Sequence, residues 1–332
     1  MKQSAFLVLL FTVILSACTK DDNEPLPKST VSRLYVSNAD TDTAVPNLFI
    51  FDPADSTSFP KPYQFDSKLP DGNGIVFDPY SGIVYQVSRQ ERNIRSFSVE
   101  TDGTLSEKGS FIDERLPSAR EIAFDRNRKS LYVSSDSDSA IYVYGGIDTL
   151  RSTVRATKKL KINDGRPWGI HLEGENLFVA LDQGKLEVLL FENASALQVG
   201  LISANKRIAI AGATRLHGIT YSSESDVLMI TDIGDASSKT DGAIYIIEEA
   251  AAKFTAQGSQ ITPTRTIRGV STGLGNPVDI AFDKREGKGL IYVAEKANNK
   301  ILVFKLADNG NVDPFMTTTL SSSPEAIYLD AR

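Results

Sequence analysis

The sequence predicts an all-β, six-bladed β-propeller whose first blade is closed by strands from both ends of the chain, and three observations lead there. First, a phrase recurs: an apolar run ending in Asp, a polar turn, then a second apolar run. Gly74-Ile75-Val76-Phe77-Asp78 leads to Ile83-Val84-Tyr85, and Glu121-Ile122-Ala123-Phe124-Asp125 leads to Leu131-Tyr132-Val133. Asp279-Ile280-Ala281-Phe282-Asp283 leads to Ile291-Tyr292-Val293 in the same way. Second, the phrase is periodic. Its starts fall at Gly74, Glu121, Gly169, Gly218, Asp279 and Ala326, spaced by 47, 48, 49, 61 and 47 residues. Four short antiparallel strands with their turns need about 40–50 residues, so six phrases mean six blades. Third, the ends complement each other. Leu34-Tyr35-Val36-Ser37-Asn38 is a second strand with no first, and Pro324 to Asp330 is a first strand with nothing after it. Paired, they complete blade 1 and remove the open edge of the ring.

The chain divides into residues 1–17, 18–31 and 32–332. Lys2 supplies a positive start, and Ala5 to Leu15 is an apolar stretch too short to span a bilayer comfortably. It runs into Leu15-Ser16-Ala17-Cys18, and Cys18 is the only cysteine of the chain. No disulfide within one chain is possible, so this residue needs a separate role. Pro25, Pro27, Lys28 and Ser29 then form a stiff polar spacer.

Blade 3 illustrates the others. Ile122 to Phe124 is its inner strand, Asp125 to Lys129 a polar turn and Leu131 to Ser134 the second strand. Asp136-Ser137-Asp138 turns into Ile141 to Tyr144, and Val154 to Ile162 holds the outer strand. β-Branched and aromatic residues fill the runs, and Gly, Asp, Asn and Ser bound them. The wider spacing before Asp279 is too small for a seventh blade and implies longer loops. Glu248 to Phe254 is the one helix-like run.

Charge narrows the partners. With 36 Lys+Arg against 42 Asp+Glu the net charge is −6. No basic cluster with interleaved aromatics occurs, so nucleic acid is not an expected partner. A closed ring has little unpaired edge, so a monomer is expected.

The leader resembles the lipobox of bacterial lipoproteins, which implies that Cys18 is acylated and becomes the first residue. Thr19-Lys20-Asp21-Asp22-Asn23-Glu24 is similar to the export signal that follows the lipidated Cys in Bacteroidota surface lipoproteins. The expected address is the outer membrane, exposed at the cell surface or facing the periplasm. Asp42-Thr43-Ala44, Asp55-Ser56-Thr57, Asp138-Ser139-Ala140 and Asp148-Thr149-Leu150 resemble the O-glycosylation triplet of exported proteins of that group; they exceed the chance number too little to decide anything.

Within the ring, Leu34-Tyr35-Val36-Ser37-Asn38 with Leu48-Phe49-Ile50-Phe51-Asp52 resembles the YVTN repeat of surface-associated propellers. Pro277 to Asp283 followed by Ile291-Tyr292-Val293-Ala294 resembles NHL and YncE-like repeats. Ile301 to Lys305, leading to Asn309-Gly310-Asn311-Val312, is similar to lactonase-type propellers. These resemblances cover residues 31 to 332 and concern architecture.

By propeller convention, ligands meet the loops that lead into each inner strand and those joining second to third strands. These loops offer Arg120, Glu121, Trp168, His217 and Asp279, together with Arg89, Asp136, Asp232 and Lys296. The rim suits a small anion, a glycan or a peptide. Trp168 is the only Trp; it either stacks on a ligand or plugs the channel. His217 is a base, a ligand or a surface hydrogen-bonder. The lactonase resemblance implies Ca²⁺ in the central channel, for which Glu121 and Asp279 are the candidate ligands. Two functions follow: a binding module with no identified ligand, or a metal-dependent hydrolase. No catalytic set is identified by spacing alone.

Overall fold

The structure is a computed structural model that describes residues 30–42 and 45–332. Cys18, its leader and the tether up to residue 29 lie outside the described residues. From Ser32 onward the chain folds into six β-sheets arranged as a six-bladed β-propeller. Five inner strands are Gly72–Asp78, Ala119–Asp125, Gly165–Glu173, Leu216–Ser222 and Pro277–Asp283, and the sixth is Pro324–Ala331. All six phrases therefore form inner strands. Ala250–Lys253, inside the helix-like run, forms one α-helical turn.

Closure is as the ends imply. Ser32–Asn38 pairs antiparallel with Pro324–Ala331, with Tyr35 opposite Tyr328 and Val36 opposite Ile327. Leu48–Phe51 and Tyr63–Phe65 complete blade 1. The core follows from the strand period of two: each blade turns alternate side chains toward its two neighbours. Among the described residues, six apolar clusters result, one at each interface between blades. The isoleucines at the second position of the phrase, Ile75, Ile122, Ile170, Ile219, Ile280 and Ile327, fall one into each cluster.

One feature of the ring has no counterpart in the repeated phrase. Ser152–Thr153 leaves its own blade and pairs in parallel with the outer strand of blade 2. Gly200–Leu201 does the same to blade 3, Gln260–Ile261 to blade 4, and Gly310 makes a single bridge to blade 5. Each strap hides part of an outer edge that would otherwise expose unpaired N–H and C=O groups. Two residues are too few to carry a periodic signal.

Candidate functional site

Each inner strand carries a register shift at its start. The pairing skips between Gly72 and Ile75, Ala119 and Ile122, Pro167 and Ile170, Leu216 and Ile219, Pro277 and Asp279, and, in blade 1, between Pro324 and Ala326. Such a bulge leaves residues unpaired and re-aims their side chains, here toward the axis. Two layers result, each with one residue per blade. The outer layer is Asn73, Arg120, Trp168, His217, Val278 and Glu325. The layer beneath it is Gly74, Glu121, Gly169, Gly218, Asp279 and Ala326.

The outer layer closes the channel. Trp168 stacks on His217 at 3.8 Å between ring centroids and 14° between planes. The Arg120 guanidinium lies 3.8 Å from the Trp168 ring centroid, a cation–π contact. Arg120 also grips Asp136 through two hydrogen bonds of 3.0 and 3.1 Å, and Ser118 donates to the same carboxylate at 2.6 Å. Burial opposes ionisation of Asp136, yet Arg120 and Ser118 hold its carboxyl below the ordinary value. Burial likewise opposes ionisation of Asp182, but His217 at 3.0 Å and Arg215 at 2.8 and 3.1 Å hold it down. Burial pushes His217 down too, so its neutral ring donates from Nε2 to Asp182 and leaves Nδ1 without a partner. Lys296 pairs with Glu325. Trp168 is therefore a packed plug, held on both sides by protein.

The remaining rim candidates are also committed. Arg89 pairs with Asp71 at 2.7 Å. Asp232 accepts from the N–H groups of Thr214, Arg215 and Gly234 and from the Tyr245 hydroxyl. The structure brings Arg120, Trp168, His217, Asp136 and Lys296 into one layer of interlocked groups, while Arg89 and Asp232 brace their own loops.

Beneath the plug stand Glu121 and Asp279, on opposite blades. Glu121 Oε1 accepts from the Ile122 N–H at 2.8 Å. Asp279 accepts from its own neighbour Ile280 at 2.8 Å and from Ile327 of blade 1 at 2.7 Å. No Lys or Arg pairs with either acid among the described contacts. Burial, with Asp279 and then Glu325 close by, pushes Glu121 well above the carboxylate range; burial and Glu325 push Asp279 up to about 7. Calcium wants six to eight oxygen ligands. Here three carboxylate oxygens serve backbone N–H groups, and the other positions of the layer are Gly74, Gly169, Gly218 and Ala326. The residues do not fit the ion. Among the described residues no group of three or more His, Cys, Asp or Glu side chains is gathered as for a metal.

Below the two acids the channel widens into a cavity of about 410 Å³. Its lining runs down the inner strands to the turns that follow them, ending at Pro79, Arg126, Glu173, Ser222, Lys284 and Leu329. The cavity thus reaches the turn face, opposite the rim where convention places the ligand. Ile, Val, Ala and Phe recur along its walls, but more of the accessible lining is polar than apolar. Thr220 and His171 add polarity; burial lowers His171 to about 4, so its imidazole is neutral. The acids stand out in the sequence at the strand starts, whereas His171, Thr220, Arg126 and Lys284 do not. Reading every sixth of the chain in register with the phrase would have found them: Thr220 and His171 share its third column, Arg126 and Lys284 its sixth.

Comparisons with known proteins bear on the fold. No protein family matches the sequence, and no curated protein matches it. Many solved structures match in shape. A putative 6-phosphogluconolactonase from Bacteroides uniformis superimposes with a TM-score of 0.64 at 12% identity, covering 91% of this chain and 99% of that one. The periplasmic gluconolactonase of Pseudomonas aeruginosa gives 0.57 at 12% identity, over 90% and 99% of the two chains. A chain of a nidogen/laminin complex gives 0.61 at 14% identity, over 90% and 98%. At these identities the likeness concerns the fold, which is shared by proteins named as enzymes and by one named in a protein–protein complex.

Proposed function

We propose that this chain is a lipid-anchored envelope protein whose propeller binds a small ligand in its central cavity, reached from the turn face. One observation carries the binding reading: a cavity of about 410 Å³ lies on the axis, closed at one end by the Arg120–Trp168–His217 stack and lined to the turns at the other. Concave sites of a few hundred Å³, mainly apolar with a few convergent polar groups, are the usual form of a small-molecule site. The anchor rests on the leader and Cys18, which would tether the ring to the outer membrane, facing the cell surface.

The binding test is a thermal-shift screen of sugars, sugar acids, amino acids and short peptides. A ligand should raise the melting temperature of the wild type and lose that effect in Thr220→Phe, which fills the cavity from a wall position outside the apolar clusters. Hits indifferent to Thr220→Phe would refute the cavity as the site. The anchor has its own test. Cys18→Ala should move the protein from the detergent-soluble membrane fraction to the aqueous one, and an unchanged partition would refute lipidation as the tether.

The hydrolytic alternative has one observation on its side. Glu121, pushed upward by burial beside a second carboxyl, has the form of one half of an acid–base pair. Turnover of a lactone in the same screen would move the reading to hydrolysis without a metal.

A further inference from the structure

We propose that the cavity takes an elongated zwitterion amine-first, a molecule the size of a di- or tripeptide, with its ammonium between Glu121 and Asp279 and its carboxylate between Arg126 and Lys284. This rests on the reading of the cavity as the ligand site and adds the ligand's chemical class.

The charges of the cavity are ordered along its axis. Blades 3 and 6, which face each other across the ring, each begin the phrase with an acid and place a base five residues later: Glu121 with Arg126, Asp279 with Lys284. All four line the cavity. The other four blades carry no ionisable residue in either column: Gly74 and Pro79, Gly169 and Gly174, Gly218 and Ser223, Ala326 and Ala331. Two acids without a cation thus stand at the closed end, and two bases stand at the open one beside Asp78 and Glu173, which line the mouth as well.

The two pairs differ in how they are compensated: the acids have no cation, and each base faces one carboxylate at long range. The acids receive backbone N–H groups only. The nearest further charge is another acid, Glu325, itself held by Lys296. At the mouth, Arg126 lies 3.7 Å from Asp78, and Lys284 lies 3.9 Å from Glu173. Both gaps exceed a hydrogen bond. Those two carboxylates have closer partners, Asp78 in Ser81 and the Tyr80 N–H, Glu173 in Ser223. Among the described contacts neither base donates a side-chain hydrogen bond, and both are about half exposed. Arg126 also lies over the Tyr80 ring, 3.4 Å from its centroid, so a ligand carboxylate competes with Asp78 and Glu173 for the N–H groups that both bases leave without a hydrogen bond.

Length sets the size of the guest. Five residues along a strand advance about 16 Å. With side-chain length allowed for at either end, the remaining span matches an extended di- or tripeptide at about 3.3–3.6 Å per residue. Polar lining between the ends suits the peptide groups of such a guest. Burial and mutual proximity push both carboxyls upward, and an ammonium placed between them favours their ionised forms, so binding is expected to release protons.

Calorimetric titration of trialanine into the full propeller at pH 7 tests this, in two buffers of different ionisation heat. Trialanine should bind with proton release. N-acetyl-trialanine and trialanine amide should each bind weaker by about ten-fold or more, the usual worth of a lost charge-assisted hydrogen bond. Glu121→Gln should erase the preference for the free amine together with the proton release. Lys284→Ala, an exposed substitution, should erase the preference for the free carboxylate. Blocked peptides that bind as well as trialanine would overturn the proposal. So would a neutral or purely anionic ligand sensitive to Thr220→Phe, bound where trialanine is not; the cavity would then stand as the site and only the ligand class would fall. If no compound binds in a manner sensitive to Thr220→Phe, the cavity reading falls as well.

Discussion

A chain ending at Ser321 is expected to lose its cooperative melt. The eleven residues removed form no free tail. Pro324–Ala331 is the inner strand of blade 1, paired with Ser32–Asn38 over its whole length. Pro324, Glu325, Ala326, Ile327 and Asp330 are buried. Ala326 packs between blades 1 and 2, and Ile327 between blades 6 and 1. Burying one such aliphatic side chain contributes about 1.5–3 kcal/mol, and a domain's whole margin is only about 5–15 kcal/mol. The cut also strands Asp279, which loses the Ile327 N–H, and Lys296, which loses Glu325. Leaving a buried acceptor unpaired costs about 1–3 kcal/mol more. Most of all, it opens the ring: the edge of Ser32–Asn38 would face the channel with its hydrogen-bonding groups unpaired. Circular dichroism across a thermal ramp should show no sharp transition, or aggregation before it. A melt within a few degrees of the full chain would refute closure as the source of stability.

This closure was legible because it is written in local chemistry. Leu34-Tyr35-Val36 alternates as a strand, and Ala326-Ile327-Tyr328 does so in the phase of the other five phrases. The blade count was legible for the same reason. The strand-start columns were legible as positions, so Glu121, Asp279, Trp168 and His217 were all found. What they do was not. Whether Trp168 reaches for a ligand or folds over the axis depends on Arg120 and His217, each nearly fifty residues away along the chain. Stacking of planar groups across neighbouring blades leaves no trace within any one blade. The position of the cavity is illegible for the same reason. Convention chose the rim, but the rim residues satisfy one another, and the empty volume lies on the far side of the acids. The straps were illegible because their pairing is backbone to backbone and places almost no demand on side chains.

The substitution Gly169→Ala should lower the melting temperature by roughly 2–5 °C. The argument turns on which of two effects is larger. Gly169 has an ordinary backbone conformation and is absent from the positive-φ glycines. Alanine would therefore restrict only the unfolded chain, which taken alone stabilises by about 0.4–1 kcal/mol. Against that stands a contact. A Cβ at Gly169 would lie 2.1 Å from the carbonyl oxygen of His217 and 3.1 Å from Ile219 Cγ2. The first is backbone of the next inner strand, so relief requires blades 4 and 5 to part near the axis, where the ring is narrowest. Overpacking of this kind costs about 1–3 kcal/mol and more where backbone must move, so the clash wins. The same close approach recurs at Gly74 against Glu121 and Ile122, and at Gly218 against Asp279. Small residues there let the inner strands converge, and the two exceptions, Glu121 and Asp279, send their side chains into the axis instead. Gly109→Ala is the matched control. Its Cβ would meet the flexible Arg151 guanidinium at 3.5 Å, an ordinary contact, and should shift the melt little. A second readout locates the damage: Trp168 fluorescence should change in Gly169→Ala, because the stack on His217 rests on the strand that must move. If both variants melt together and Trp168 emission is unchanged, the spacing of blades 4 and 5 is not set by this contact. The glycines of the layer would then be tolerated rather than required.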